Sequence, residues 1–466
     1  MQLRGKKIVV MGLGVHGGGL GVARYCAEQG ASVLVTDLRS ADLLQDSVAA
    51  LADVPITYVL GEHRDDDFRT CDILVQNPAV PATSPFVAIA RAAGAQIEME
   101  MTLFFRLCPA PIIAVTGTKG KTTTATLTAH LLKSWRSDTI LAGNMRISAL
   151  AQLALIGPDT PVVLELSSFV LEGLGAAGLS PAIAAITNIH PDHLDRYGTM
   201  PAYIAAKAAI GAHQQPADFL LLNARDAVLQ ELAPTMPGTV AWSATASIPD
   251  APIGSVYWNA DALHAVLAHK TVIVATQADV QLSGMHNRAN IATAVALALR
   301  AGMPPERIAP ALASFMGVEH RQEVVASISG HVFINDTAAT MPDAAIAALV
   351  SLPQPIIWIA GGADKKLSFE ALAATAVSHA SHIVLLQGSA TELLHDALVR
   401  HGAAKQIIGS YDSLESAVRA AHAVSSQPAT VALSPGCASF GMFRNEFHRG
   451  EEFRRIVRIL EEEAAE

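Results

Sequence analysis

The sequence predicts an α/β protein built as three domains, and three observations carry that expectation. The chain has 466 residues, too many for one hydrophobic core. Apolar strand-like runs alternate with helical stretches from end to end, the pattern of parallel sheets covered by helices. Two Gly-rich turns, at residues 12–19 and 117–120, each join an apolar run to a helical stretch, the place where such folds receive anionic ligands.

The first domain is expected at residues 1–109. Lys7–Met11 is a buried strand ending in Gly12 and Gly14, a helix follows over 20–29, and a second strand over 31–36 ends at Asp37. A third, 73–75, precedes Asn77-Pro78. Gly12, Gly14 and Asp37 resemble a dinucleotide fingerprint, which makes this a Rossmann-like domain. The third glycine is displaced, because Gly17, Gly18 and Gly19 crowd the turn. A turn of this kind holds a nucleotide by its phosphates or packs tightly for its own sake. Arg4, Lys6 and Lys7 ahead of the apolar run imitate a signal peptide, but the glycines interrupt the run too early.

Pro109 and Pro111 discourage helix and mark the first boundary. The second domain is expected at 110–321, with strands at 111–115, 162–166, 182–187 and 219–222, helices at 124–133 and 290–300, and short antiparallel strands over 240–280. The third, 322–466, repeats strand and helix, with strands at 331–334, 356–360, 382–386 and 430–433. This is a doubly wound α/β pattern.

Bulk properties narrow the function. A net charge of −10 argues against a general nucleic-acid binder. No run of ~18 apolar residues predicts a membrane span. The four cysteines, Cys26, Cys71, Cys108 and Cys437, lack disulfide or metal spacing, which fits a reducing, cytoplasmic location.

The strongest motif is Gly117-Thr118-Lys119-Gly120-Lys121-Thr122-Thr123. Backbone N–H groups of such a turn converge at a helix N-terminus, where Lys121 reaches terminal phosphates and the Thr122 hydroxyl holds magnesium. The full P-loop pattern wants glycine where Val115 stands, so this is a shortened P-loop for ATP. Glu165 ends an apolar strand and can bind magnesium directly or through water. His190, Asp192, His193 and Asp195 crowd the turn after another strand. His193 is the better site candidate, and Asp195 can simply pair with Arg196. Zinc competes with magnesium on these residues alone, although no third nitrogen or sulfur ligand is near in sequence. Lys207, flanked by alanines, reads by itself as a solvated surface residue. Asn287 and Asn290 fall on one helical face and can address one ligand, or Asn287 simply caps the helix. Arg321 suits a phosphate and Asp336 a ribose hydroxyl or a cation. Residues 361–366 and 434–440 end two further strands and offer turns for close backbone approach.

In their order along the chain, Gly117–Thr123, Glu165-Leu166-Ser167-Ser168-Phe169, Asn188 with Asp192-His193, Lys207, His286-Asn287 with Asn290, and His320-Arg321 resemble the Mur ligase family. These are ATP-dependent amide ligases that build the peptide of the bacterial cell wall. Within it, Glu165–Phe169 and Ser434–Phe440 are most similar to the branch that joins D-glutamate to UDP-N-acetylmuramoyl-L-alanine. The resemblance implies a carbamylated Lys207 acting as an oxygen ligand. It also implies that Glu165 and His193 bind a second magnesium ion, while Thr122 holds the one bridging ATP. It places Asn287, Asn290, Arg321 and Asp336 on ATP. Gly14, Asp37 and Arg39 would hold the UDP end, Asn144 and Ser167 the muramoyl arm, and Lys365 and Ser439 the incoming amino acid. The expected partners are the UDP substrate and a free amino acid, with no nucleic acid and no membrane, in a monomer.

Two positions depart from that branch. Ala338 stands where a lysine is usual, and Glu446 where a phenylalanine is usual. Both changes disfavour a dicarboxylate acceptor unless Lys365, Lys366 or Arg444 compensates, so they bear on the acceptor and not on the ligase class. The alternative is a ligase of the same class using another acceptor, such as L-glutamate. His16 also replaces a small residue in the first Gly-rich turn. A nicotinamide-dependent dehydrogenase would use Gly12, Gly14 and Asp37 but leaves residues 117–123 and 188–207 without a task. A non-catalytic UDP-sugar-binding protein has no use for Lys121, Glu165 and His193 together.

Overall fold

The computed structural model describes residues 1–14, 18–81, 83–143, 148–268, 270–282 and 284–465. His16 and Asn144, both singled out above, lie outside the described residues. The chain divides into two compact units, Met1–Phe315 and Met316–Glu466. Met316–Arg321 therefore group with the second unit.

The first unit contains two sheets. One is parallel, with five strands in the order Ile56–Leu60, Ser32–Asp37, Lys7–Met11, Ile73–Gln76, Gln96–Glu98. Its middle strands are buried on both faces and accordingly read as near-continuous Val, Ile and Leu. The helix Gly18–Glu28 follows the first strand. The other sheet has nine strands, in the order Lys270–Thr276, Ala262–Leu267, Val256–Asn259, Thr239–Ala244, Phe219–Asn223, Ile183–Ile186, Ile112–Thr116, Val162–Glu165, Ile140–Gly143. Only the first two pairings of that order, within 256–276, are antiparallel. The expected excursion at 240–280 is thus half right: Thr239–Ala244 pairs in parallel with Phe219–Asn223. Ile112–Thr116 is buried at every residue and lies between Ile183–Ile186 and Val162–Glu165. Its carboxyl end therefore opens beside theirs. The helices Lys121–Trp135 and Met285–Arg300 pack together, the second burying an Ala-rich face.

The second unit holds one sheet, ordered Glu323–Ile328, His331–Asn335, Thr430–Leu433, Ile356–Gly361, Ala380–Leu386, Ile407–Tyr411. All pairings are parallel except the first hairpin. Two apolar clusters cover its faces, one around Trp358 and Leu372, the other around Phe333, Val418 and Phe453. The carboxyl ends of three adjacent strands carry 336–341, 434–439 and 361–366, the crevice where doubly wound sheets bind ligands. No helix among the described residues is long and apolar enough to cross a membrane.

Candidate active site

The Gly117–Thr123 turn leaves a buried strand and enters the helix Lys121–Trp135. Two glycines are required by the space around them. Gly117 has φ +152°, and a Cβ there would sit 1.9 Å from Thr187 Oγ1. Gly120, at φ +83°, would carry a Cβ 2.4 Å from Asn290 Oδ1. The turn is laced to the chain after Ile183–Ile186. Thr118 N donates to Asn188 O at 2.9 Å, Lys119 N to Asn188 Oδ1 at 2.9 Å, and His190 N to Thr118 Oγ1 at 3.0 Å. That pinning leaves the N–H groups of Lys121, Thr122 and Thr123 at the start of the helix, where no intrahelical carbonyl reaches them. Such a helix start is suited to an anion.

Two lysines meet at one carbonyl. Lys121 Nζ donates to Gly117 O at 2.9 Å and Thr118 O at 3.0 Å, and Lys207 Nζ donates to the same Gly117 O at 2.9 Å. Lys207 is 2% exposed, so its reading as a solvated surface residue is overturned. The alanines around it are packing residues that let the helix Met200–Ala212 approach the sheet. Burial first, and the neighbouring Lys121 charge second, push its ammonium from 10.5 down to about 7. Tyr203, one turn earlier on the same helix, supports both partners of this corner. Its hydroxyl meets Thr118 Oγ1 at 3.2 Å, its ring lies 4.8 Å from Lys207 Nζ, and its edge faces His193 at 6.2 Å between centroids. The sequence reading missed Tyr203, although its spacing of four from Lys207 places the two on one helical face.

Glu165 is buried at the end of its strand. His193 has φ 52°, starts the short helix Leu194–Tyr197 and packs edge-on to Phe169 at 5.1 Å. Arg196 does not pair with Asp195, as the sequence allowed. It reaches Glu172 at 2.7 Å and covers the Phe169 ring at 4.2 Å. Ser167 caps the helix Ser168–Ala176, accepting from Val170 N at 3.4 Å. Asn290 Nδ2 donates to Asn287 Oδ1 at 3.3 Å, and Asn290 also meets Thr124 Oγ1 at 3.4 Å, so both amides stand beside the phosphate turn.

Among the described residues no three His, Cys, Asp or Glu side chains converge as a metal cage. Magnesium does not need one, since it binds through one or two carboxylates, substrate phosphates and water. The Thr122 hydroxyl and Glu165 carboxylate supply hard oxygen donors of that kind, and an ammonium at Lys207 does not. The donor set fits magnesium, and fits it better with an oxygen-bearing group on Lys207.

In the first sheet, Asp37 ties the Gly-rich turn together. It accepts from Gly14 N at 3.2 Å and Arg39 N at 2.9 Å. In the second unit, Asp336 accepts from Gln322 N at 3.2 Å and Ser434 Oγ at 2.7 Å, beside Arg321. Its near-complete burial raises its carboxyl to about 6. Lys365 Nζ donates to Thr340 Oγ1 at 3.0 Å, and Ser439 is buried at the end of the neighbouring turn. The charges of Lys365 and Arg449 both interact with Glu446.

The chain is similar to known proteins along most of its length. Three family profiles match: the Mur ligase MurD-like N-terminal domain over residues 6–98, the Mur ligase middle domain over 115–298, and the Mur ligase glutamate ligase domain over 320–437. The chain is 55% identical to a UDP-N-acetylmuramoylalanine--D-glutamate ligase of Roseiflexus sp. (strain RS-1), covering 98% of this chain and 99% of that one. It is 35% identical to the protein of the same name from Treponema pallidum, over 98% of each. In fold it is similar to the UDP-N-acetylmuramate-alanine ligase MurC of Thermotoga maritima, with a TM-score of 0.60, 21% identity, and coverage of 97% and 99%. The chain belongs to the Mur ligase family and is an ATP-dependent ligase of peptidoglycan precursor synthesis.

Proposed function

We propose that the protein joins D-glutamate to UDP-N-acetylmuramoyl-L-alanine at the expense of ATP, through an acyl phosphate. The observation that carries the reading is the meeting of Lys121 and Lys207 at the Gly117 carbonyl, inside a phosphate turn flanked by Glu165 and His193. A dehydrogenase has no use for that corner. The full-length likeness to ligases named for D-glutamate supports the acceptor.

The residues divide the work over three functional domains, 1–109, 110–321 and 322–466. Gly14, Asp37 and Arg39 hold the UDP end, with Asn144 and Ser167 along the muramoyl arm. The turn Gly117–Thr123, with Asn287, Asn290, Arg321 and Asp336, holds ATP. The alanyl carboxylate attacks the γ-phosphate and displaces ADP, while Lys121 spreads the developing charge. The amine of the incoming amino acid then attacks the acyl phosphate, and phosphate leaves. Lys365 and Ser439 orient that amino acid. One magnesium ion would be held by Thr122 and a second by Glu165, His193 and a carbamylated Lys207, and they would supply charge neutralisation to the phosphates. Carbamylation needs a neutral amine, which a lysine held near 7 provides. The chain acts as a monomer in the cytoplasm.

Isotope transfer tests the chemistry. With 18O in the alanyl carboxylate, one label is expected in the released phosphate. Phosphate that carries no label, alongside normal product, overturns the acyl-phosphate route.

A further inference from the structure

The five-stranded sheet of the first unit leaves a small cavity, about 30 Å³, at the carboxyl ends of Lys7–Met11 and Ile73–Gln76. Gly12, Gly18, Gly19, Gln76, Asn77 and Glu100 line it. A Cβ on Gly19 would stand 2.4 Å from Gly12 O and Leu13 O, so the helix Gly18–Glu28 starts directly against the turn. A Cβ on Gly18 would stand 3.2 Å from Glu100 Oε2. The Glu100 carboxyl therefore faces a helix start, where backbone N–H groups find no intrahelical carbonyl and the dipole is positive. In the same wall, Gln76 Oε1 has no hydrogen-bond partner among the described residues.

Glu100 begins the helix Glu100–Leu107 and is half-buried. Two donors hold its Oε1: the Ser148 hydroxyl, and Ala149 N at 3.1 Å. Ser148 is wedged against the first helix, since a Cβ on Gly21 would lie 2.3 Å from its Oγ. Oε1 is thus fixed, and Oε2 is turned to the helix start and the cavity. Burial raises the carboxyl, and the groups that oppose it are neutral: the Ser148 hydroxyl and the N–H groups of Ala149 and Leu150. The other carboxylate of this turn, Asp37, accepts from Gly14 N and Arg39 N. An anion that enters the cavity meets a carboxyl stabilised by dipoles alone, and two anions side by side persist only when one takes a proton.

We propose that Glu100 contacts the diphosphate of the UDP substrate as a protonated carboxyl. Oε1 stays with Ser148 and Ala149, while Oε2 takes one proton from solvent and donates it in a hydrogen bond to a phosphate oxygen. This rests on the reading of the first domain as the UDP-substrate site.

The test is titration calorimetry of UDP-N-acetylmuramoyl-L-alanine into the full chain without ATP, at about pH 7.5, in buffers of different ionisation enthalpy, which counts the protons taken up on binding. Glu100→Gln, Ser148→Ala and His16→Asn are compared with the unaltered protein, His16 being a titratable residue of the same Gly-rich turn. Lys207 is common to all four, so the difference between proteins is the readout. The unaltered protein should take up about one proton more than Glu100→Gln. Its Kd should rise with pH by up to ~10-fold per unit relative to that variant, whose amide keeps both the accepting and the donating contact. Ser148→Ala removes a bond that favours the ionised carboxyl and should lower the uptake, whereas His16→Asn should leave it in place. Equal proton counts and parallel pH profiles in the unaltered protein and Glu100→Gln would overturn the inference. So would an uptake that vanishes in His16→Asn and persists in Glu100→Gln. Should Glu100→Gln fail to fold, an uptake in Ser148→Ala equal to that of the unaltered protein overturns it instead. An unaltered protein that does not bind the UDP substrate refutes the UDP reading, and this inference falls with it. One that binds it with no proton dependent on Glu100 refutes this inference alone.

Discussion

Replacing Lys207 with methionine is expected to stabilise the protein and silence it. The side chain is 2% exposed and donates to a single carbonyl, with the Lys121 charge nearby. The fall from 10.5 to about 7 corresponds to roughly 5 kcal/mol at about 1.36 kcal/mol per pH unit. Between those two values the unfolded chain binds more protons than the folded one, so stability rises with pH there. The penalty is complete below about 7 and gone above about 10.5. Relaxation and water entry reduce what is realised, so Lys207→Met should gain ~2 kcal/mol or more at pH 7 in bicarbonate-depleted buffer, and little at pH 10. Activity should move the other way. At pH 7 about half the amine is neutral, against about 0.03% for an ordinary lysine, and only the neutral amine takes up carbon dioxide. Phosphate release should therefore decline as pH falls through about 7. Lys207→Ala should lose nearly all turnover, and formate or acetate should restore part of it by supplying oxygens. Denaturant melts at the two pH values and a phosphate-release assay read both arms. Full turnover in Lys207→Ala, or a Lys207→Met protein less stable than the parent at pH 7, would refute the reasoning.

Other changes follow from single contacts. Gly117→Ala places a methyl 1.9 Å from Thr187 Oγ1 at φ +152°, so ATP turnover should drop by ~100-fold or more; near-normal turnover would mean the turn tolerates rearrangement. Asp336→Asn removes a carboxyl that burial raises to about 6. The folded state binds more protons than the unfolded one between the ordinary value and about 6, so the gain in Tm should be present at pH 7.5 and absent at pH 4. Equal shifts at both would contradict this. The residues proposed to hold ATP fall in both compact units, which predicts compaction in small-angle scattering when an ATP analogue and the UDP substrate are added together. An unchanged radius of gyration at saturation would count against domain closure.

Much of the architecture was readable because local patterns agree with the fold. Buried parallel strands such as Ile112–Thr116 and Ile356–Gly361 read as unbroken apolar runs, and their flanking turns carry the glycines that close contacts demand. The site was readable where its residues cluster in sequence, as in Gly117–Thr123. It was not where chemistry depends on partners far along the chain. Lys207 looks like a surface lysine until its helix is packed 90 residues away from the Gly117 carbonyl. Arg449 meets Thr337 across a separation of 112 residues, and nothing local marks it as buried. Arg196 chose Glu172 over its neighbour Asp195 because the Phe169 face draws the guanidinium across.

The acceptor is the point on which the account stands or falls. The direct measurement fixes ATP and UDP-N-acetylmuramoyl-L-alanine, offers each amino acid in turn, and identifies the product by mass. D-Glutamate should give the ligated product with one phosphate released per bond, at a rate well above L-glutamate. Product formed with a neutral or basic amino acid, and with neither glutamate enantiomer, would contradict the assignment.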